Sequence, residues 1–173
     1  MTRQSPRSIA RIAGVLYLLT IVTGLASLRI PGRPAVVAML LASASYVGVT
    51  VLFYPLFKPV NGHLSLLAAI VSLAGIAVGA LFRLNALPWF GVYCLLIGYL
   101  VFRSTFAPRF LGVLMATAGL GWLTFLSPSL ARSLSPYNFA PGLIGEGALT
   151  LWLLVFGFGA PQWDRPAPSP ERV

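Results

Sequence analysis

Glu146 is the one acidic residue of this chain that stands inside an apolar run, Gly142-Leu-Ile-Gly-Glu-Gly-Ala-Leu-Thr-Leu-Trp152. A carboxylate in hydrocarbon costs about 3 kcal/mol or more unless it is paired, protonated or wetted. Such a residue can bind a ligand, hold a proton, act as acid or base, or fasten one helix to another. Counted from Pro141 at roughly 1.5 Å per residue, it lies about 7–9 Å inside one membrane face. Gly145 and Gly147 flank it, and residues without side chains let a neighbouring helix or a ligand come close to the backbone. Arg83 closes an apolar run on the same side and is the expected ion-pair partner, while Asn85 and Arg132 reach that side from loops. The chemistry then divides into a fastening carboxyl group and a ligand-binding or proton-handling one.

Other polar groups fall in the same apolar setting. Tyr17, Tyr46, Tyr93 and Tyr99 sit inside apolar runs, where each hydroxyl needs a hydrogen-bond partner. Trp122 and Trp152 fall deep in their runs, whereas Trp89, Tyr137 and Trp163 fall near segment ends, as in an aromatic belt. With Glu146, the buried tyrosines could line a small polar pocket, and Glu146, Arg83, Tyr93 and Trp152 are taken as its binding candidates. No residue is assigned a catalytic role. His63 is the only histidine and Cys94 the only cysteine, so paired haem ligation, a two-histidine metal site and an internal disulfide are excluded. Neither a Gly-x-Ser-x-Gly elbow nor a phosphate-binding Gly-x-x-x-x-Gly-Lys loop occurs. No metal and no cofactor is expected.

The elements that position these residues follow from composition. Of 173 residues, 58% are hydrophobic and 9% charged, and mean hydropathy is +0.88. Soluble domains carry about 25% charged residues, so too few polar side chains exist here to cover a surface in water. A bilayer accepts an apolar exterior. The net charge of +9 does not indicate nucleic acid, because the cations fall singly or in pairs between apolar runs rather than along a stripe.

Runs free of charge, apart from an arginine at or next to an end and Glu146 inside the last, define six spans of about 11–28, 34–57, 64–83, 86–103, 108–127 and 141–159, each near the roughly 20 residues a helix needs to cross. The expected fold is therefore an all-α, polytopic transmembrane bundle at 11–160, after a basic cytoplasmic N-terminus at 1–10 and before a disordered polar tail at 161–173. Short turns rich in Pro, Gly and Asn join the spans, and the longest connection, Ser127–Pro141, reads as irregular or surface-lying. Arg3, Arg7, Arg11, Lys58, Arg103, Arg109, Arg165 and Arg172 fall on one side, and Arg29, Arg33, Arg83 and Arg132 on the other. Cations concentrate in cytoplasmic loops, so both termini are placed inside, with Arg3, Arg7, Arg11, Lys58, Arg103 and Arg109 as the residues that set the topology. Arg3, Arg7 and Arg11 also share a helical face suited to anionic headgroups. Gly24-Leu-Ala26 could pass for a signal-peptidase site, but the apolar run is longer than the about 7–15 residues of a signal peptide, and the segment is read as a retained span.

Small residues mark contact faces: Ala68, Ser72, Gly75 and Gly79 share a side of the third span, and Ala42, Ser43, Ser45 and Gly48 lie along the second. Gly75, Gly79 and Gly145 are read as helix-packing positions, with the first two also able to serve a homodimer.

Several of these stretches resemble one family. Ala10-Arg-Ile-Ala-Gly-Val-Leu-Tyr-Leu-Leu19, Leu56-Phe-Lys-Pro-Val-Asn61, Ile97-Gly-Tyr-Leu-Val-Phe-Arg-Ser-Thr-Phe-Ala-Pro-Arg-Phe-Leu-Gly112, Ala118-Gly-Leu-Gly-Trp122 and Ile144-Gly-Glu-Gly-Ala-Leu-Thr-Leu-Trp-Leu-Leu154 follow in the order seen in the DUF4386 proteins. The resemblance spans about residues 8–158. It implies a multi-pass protein of the bacterial inner membrane, of unknown function, with family arginines at Arg103 and Arg109 and a family glutamate at Glu146. This chain is shorter than typical members between its first and third helices, which would reduce any pocket built there. The functional expectation is a membrane protein that binds a lipid or small apolar molecule between helices, with the bilayer as partner and no nucleic acid. Alternatives are a proton-coupled transporter subunit or a membrane-embedded enzyme using Glu146.

Overall fold

The computed structural model describes residues 6–82 and 84–158. Arg3, Arg83, Trp163, Arg165, Arg172 and the 161–173 tail lie outside them. The described chain forms α1 (Pro6–Arg29), α2 (Arg33–Phe57), α3 (Gly62–Phe82), α4 (Leu87–Arg103), α5 (Arg109–Leu123), a 3-10 turn (Thr124–Leu126), the short α6 (Pro128–Ser133), a second 3-10 turn (Tyr137–Phe139) and α7 (Ala140–Val155). Proline opens α2, α4, α6 and α7 within the first turn, where its missing N–H would have no partner anyway. Asn61 Oδ1 accepts the Leu64 N–H at 3.0 Å, and Asn85 Oδ1 the Leu87 N–H at 3.1 Å, so both asparagines hold the starts of the helices that follow them. His63 is an exposed residue of the first turn of α3.

Within the basic N-terminal segment, residues 6–10 already belong to α1, in keeping with the helical face read for Arg7 and Arg11. One expectation changes. The Ser127–Pro141 connection is largely helical, because Ser127 Oγ accepts the Leu130 N–H and Pro128 fits the first turn of α6.

Five described segments are long and apolar enough to cross a membrane: Pro6–Arg29, Arg33–Phe57, Gly62–Phe82, Arg109–Leu126 and Tyr137–Val155. The shorter Leu87–Arg103 packs between α3 and α5 and completes the bundle. Helix neighbours run α1–α2–α3–α4–α5–α7 and back to α1, a closed ring. Its outer face carries Val15, Leu28, Val36, Leu40, Leu81, Leu120 and Leu151, all exposed. An apolar surface this extensive is untenable in water and is what lipid tails solvate, so the fold is a helical membrane bundle.

Glycine sets how closely the ring closes. A Cβ at Gly98 would stand 2.8 Å from Gly112 O, and one at Gly91 would stand 2.9 Å from Gly119 O. The backbones of α4 and α5 therefore touch at two levels, as small residues allow. Gly145 faces Leu114 O across the α5–α7 seam, and a Cβ at Gly14 would meet Leu153 Cβ at 3.0 Å across α1–α7. Gly75 and Gly79 face Trp89 and Ala86 at the start of α4, so both are used within the chain. Among the described residues, no helix-interior glycine draws α2 and α3 together.

The end that holds the start of α1 also holds the end of α7. Arg7 Nε reaches Phe156 O and Arg11 Nη2 reaches Val155 O, both at 3.4 Å. The basic face read as headgroup-anchoring thus turns at least two guanidinium groups onto unpaired carbonyls of the last turn of α7, where cations are favoured.

Replacing Gly98 by Leu forces the α4 and α5 backbones apart and is expected to destabilise the protein by about 1–3 kcal/mol or more. Gly24 has open space around its Cβ position, so Gly24→Ala is expected to be neutral or to stabilise by up to about 1 kcal/mol. Thermal unfolding in one detergent, followed by loss of monodisperse protein, compares the two. Equal behaviour would remove the glycine contact as the determinant of that seam.

Candidate functional site

Each helix of the ring places a polar or aromatic side chain toward the centre. From α7 comes Glu146, only 5% exposed. Its Oε1 accepts a hydrogen bond from Trp122 Nε1 of α5 at 2.7 Å. The geometry depends on two glycines. The Trp122 indole lies against Gly142, one turn before Glu146, where any side chain would strike the ring, and Gly145 brings α7 onto the α5 backbone. Gly142, Gly145 and Glu146 together form the surface of α7 on which the indole rests. The ion pair with Arg83 expected from the sequence involves a residue outside those described, and the hydrogen-bond partner found for Glu146 is Trp122.

Trp122 continues into an aromatic chain. Its ring centroid is 5.5 Å from Phe90, Phe90 is 4.9 Å from Tyr46, and Tyr46 is 5.5 Å from Tyr93 and 6.5 Å from Tyr17. Most of these contacts are tilted or edge-on, as ring quadrupoles prefer. Tyr17 and Tyr93 are fully or almost fully buried. Among the described residues, the hydroxyls of Tyr17, Tyr46 and Tyr93 and the Thr150 Oγ1 are buried without a hydrogen-bond partner. Thr50 Oγ1 and Ser72 Oγ pair across α2 and α3 at 2.6 Å. Tyr99 is half exposed on the outside of the ring and takes no part.

Beside this cluster a cleft of about 370 Å³ opens between α2 and α3, with the start of α4 as its back wall. It lies toward the end of the bundle opposite the described termini. Met39, Leu40 and Ala80 are exposed at its rim, and Tyr46, Ser72 and Phe90 close its inner end. Its size falls within the usual range of ligand sites, about 300–1,000 Å³. The expected shortening between the first and third helices does not close this seam.

The sequence candidates therefore separate. Tyr93 sits directly behind the cleft floor, stacked on Phe90 at 6.2 Å. Glu146 lies deeper, behind Trp122. Trp152 is turned away, packed on Phe156 at 4.3 Å near the opposite end. None of these three lines the cleft. Phe90 and Thr50 were not singled out from the sequence. Phe90 looks like any lipid-facing aromatic residue, and Thr50 gains meaning only once Ser72 is seen across the seam.

Residues 80–157 match the family described as Domain of unknown function (DUF4386). Arg103, Arg109, Trp122 and Glu146 all fall inside the matched stretch, and the likenesses noted in α1 and α2 fall outside it. An uncharacterized protein of Archaeoglobus fulgidus is 29% identical over 129 residues, covering 64% of this chain and 76% of its own. No solved structure matches.

Because the donor that Glu146 meets among the described residues is Trp122, its two simplest variants should differ. Trp122→Phe strips the buried carboxyl group of that donor and is expected to destabilise by about 1–3 kcal/mol. Glu146→Gln keeps an acceptor oxygen facing the indole and is expected to cost less. Thermal inactivation profiles of both variants, read by gel filtration after heating, decide it. If Glu146→Gln proves the more damaging, the carboxylate charge matters and a cation must answer it.

Proposed function

We propose, from the premise that residues 80–157 carry the DUF4386 domain, that this integral membrane protein binds a lipid or small apolar molecule between α2 and α3. The observation that carries the reading is the cleft itself, an apolar cavity of ligand size on the one seam of the ring that glycine contacts do not close. A ligand would enter sideways from the bilayer, since the rim residues Met39 and Leu40 face lipid. The alternative roles for Glu146 in proton-coupled transport or membrane-embedded catalysis find less support, because its carboxyl group is engaged by Trp122 and stands apart from the cleft.

Orientation belongs to the same reading. Arg7, Arg11, Lys58, Arg103 and Arg109 fall at the end that holds the described termini, against Arg29, Arg33 and Arg132 at the other. The excess favours a cytoplasmic location for the termini. The cleft then opens in the outer half of the membrane.

Two measurements test this. Native mass spectrometry of protein released from mild detergent should show a discrete adduct on the wild type that is absent when Ser43→Trp fills the cleft. Equal adducts on both would move binding elsewhere. For orientation, Cys94 is buried and gives little background. A membrane-impermeant maleimide applied to intact cells should label Ser129→Cys at the α6 end and spare Asn61→Cys; the reverse pattern inverts the topology.

A further inference from the structure

Every hydroxyl of the cleft lining is either committed within the protein or out of reach. Thr20 Oγ1 donates to Leu16 O at 3.0 Å, and Ser43 Oγ donates to Met39 O at 2.9 Å. Ser72 Oγ is paired with Thr50 Oγ1 at 2.6 Å, and the Tyr46 hydroxyl is buried, so Tyr46 offers the cleft its ring. Among the described residues no charged side chain lines the cleft. A polar group placed there would lose its water and find no free donor. The part of a ligand that fills this space is hydrocarbon.

What stands above the cleft has the opposite character. Arg29 ends α1 and Arg33 opens α2, so the turn between them carries two exposed guanidinium groups. Glu146, the one acidic side chain among the described residues, is buried against Trp122 and does not neutralise them. Both arginines fall on the side with fewer cations, so they work against the charge bias that sets the topology. Leu40, at the cleft rim, lies two turns along α2 from Arg33 and about 20° from it around the helix. Val36 stands between them, and it and Leu40 are both exposed, so apolar surface leads from the cation down to the cleft. From Arg33 to Tyr46 at the inner end is about 20 Å at 1.5 Å per residue. That is the depth of one leaflet, half of the about 40–45 Å of a bilayer with its headgroups.

Resting on the reading that the cleft is a binding site, we propose that its ligand is an anionic glycerophospholipid of the phosphatidylglycerol type. One acyl chain descends between α2 and α3 to the rings of Tyr46 and Phe90, and the phosphate meets Arg29 and Arg33 at the membrane surface. A space of about 370 Å³ admits part of a single chain, and the second chain stays in the bilayer. Two guanidinium groups without a carboxylate partner favour a headgroup of net negative charge over one that carries its own cation.

The test uses the full chain in mild detergent with equal amounts of dioleoylphosphatidylglycerol and dioleoylphosphatidylcholine, which share their chains and differ in headgroup charge. Native mass spectrometry shows which lipid stays bound. Wild type should retain phosphatidylglycerol in preference to phosphatidylcholine. Arg33→Gln should lower that preference about threefold to tenfold, the worth of one cation beside an anionic headgroup. Lys58→Gln, which removes an exposed cation at the other end of the bundle, should leave it unchanged. Ser43→Trp, which fills the cleft, should reduce retention of both lipids. If Ser43→Trp does so but wild type takes both lipids equally, or Arg33→Gln and Lys58→Gln act alike, the cleft stands and the headgroup assignment falls. If Ser43→Trp leaves retention unchanged, the cleft reading itself fails. The wild-type preference and the two surface variants do not depend on how well Ser43→Trp folds, and an equal affinity for both lipids overturns the assignment by itself.

Discussion

A carboxyl group surrounded by hydrocarbon has to be answered from within the protein, and here α5 supplies the answer through Trp122. The indole can donate to Glu146 only if it lies flat across α7, and it can lie there only because position 142 has no side chain. That contact fixes the rotation of α5 and α7 about each other. Rotation of α5 in turn presents Gly112 and Gly119 to Gly98 and Gly91, so the α4–α5 seam closes by backbone contact. The hydrogen bond and the glycine contacts agree on the facing sides of these three helices. Hydrogen bonds of this kind between membrane helices are worth about 0.6–2 kcal/mol each. This one acts mainly through the registry it imposes rather than through its strength.

The other half of the ring is held differently. The α2–α3 contact rests on a short hydroxyl pair, Thr50 with Ser72, and on Ser65 Oγ donating to Tyr54 O at 2.9 Å beside Pro55. Those bonds secure the half of the seam nearer the described termini. Beyond Ser72 the two helices have no comparable tie, and the cleft begins there. Glycine brings the helices close on five of the six seams, with Gly48 against Leu16 on α1–α2, and hydroxyls tie half of the sixth, which leaves the cleft as a place where lipid-sized molecules can enter without breaking a backbone contact.

Much of this was legible in the sequence because hydrophobic length is a one-dimensional property. Charge-free runs of about 20 residues locate helices without knowledge of their neighbours, and Pro34, Pro88 and Pro141 mark helix starts by local chemistry alone. Glu146 stood out for the same reason, as a charge in an apolar run. Its partner did not. Arg83, the choice by charge and side of the membrane, lies outside the described residues, and Trp122 is a match of shape and rotation that appears only when Gly142 and Gly145 face α5. The candidate binding residues Tyr93, Glu146 and Trp152 do not line the cleft, for a related cause. Tyr93 and Trp152 both lie in apolar helices, but at six residues from Glu146, Trp152 is turned about 240° around the helix at 100° per residue, and no linear reading of an all-apolar segment shows which face meets the ring. Ala68, Ser72 and Gly75 did declare the inward side of α3, because small size has a packing consequence that hydrophobicity lacks.

Packing also leaves something over. Tyr17, Tyr46 and Tyr93 bury their rings completely or nearly so, and the ring contacts they make would be made equally by phenylalanine. A buried hydroxyl left without a partner costs about 1–3 kcal/mol relative to a satisfied one, a sizeable part of the about 5–15 kcal/mol by which folded proteins are commonly stable. A bundle selected for stability alone gains nothing from them. Their arrangement gives them a different sense: they meet at the ring's centre, from α1, α2 and α4, next to the inner end of the α2–α3 cleft. Of the three, Tyr46 is the one whose ring also lines the cleft.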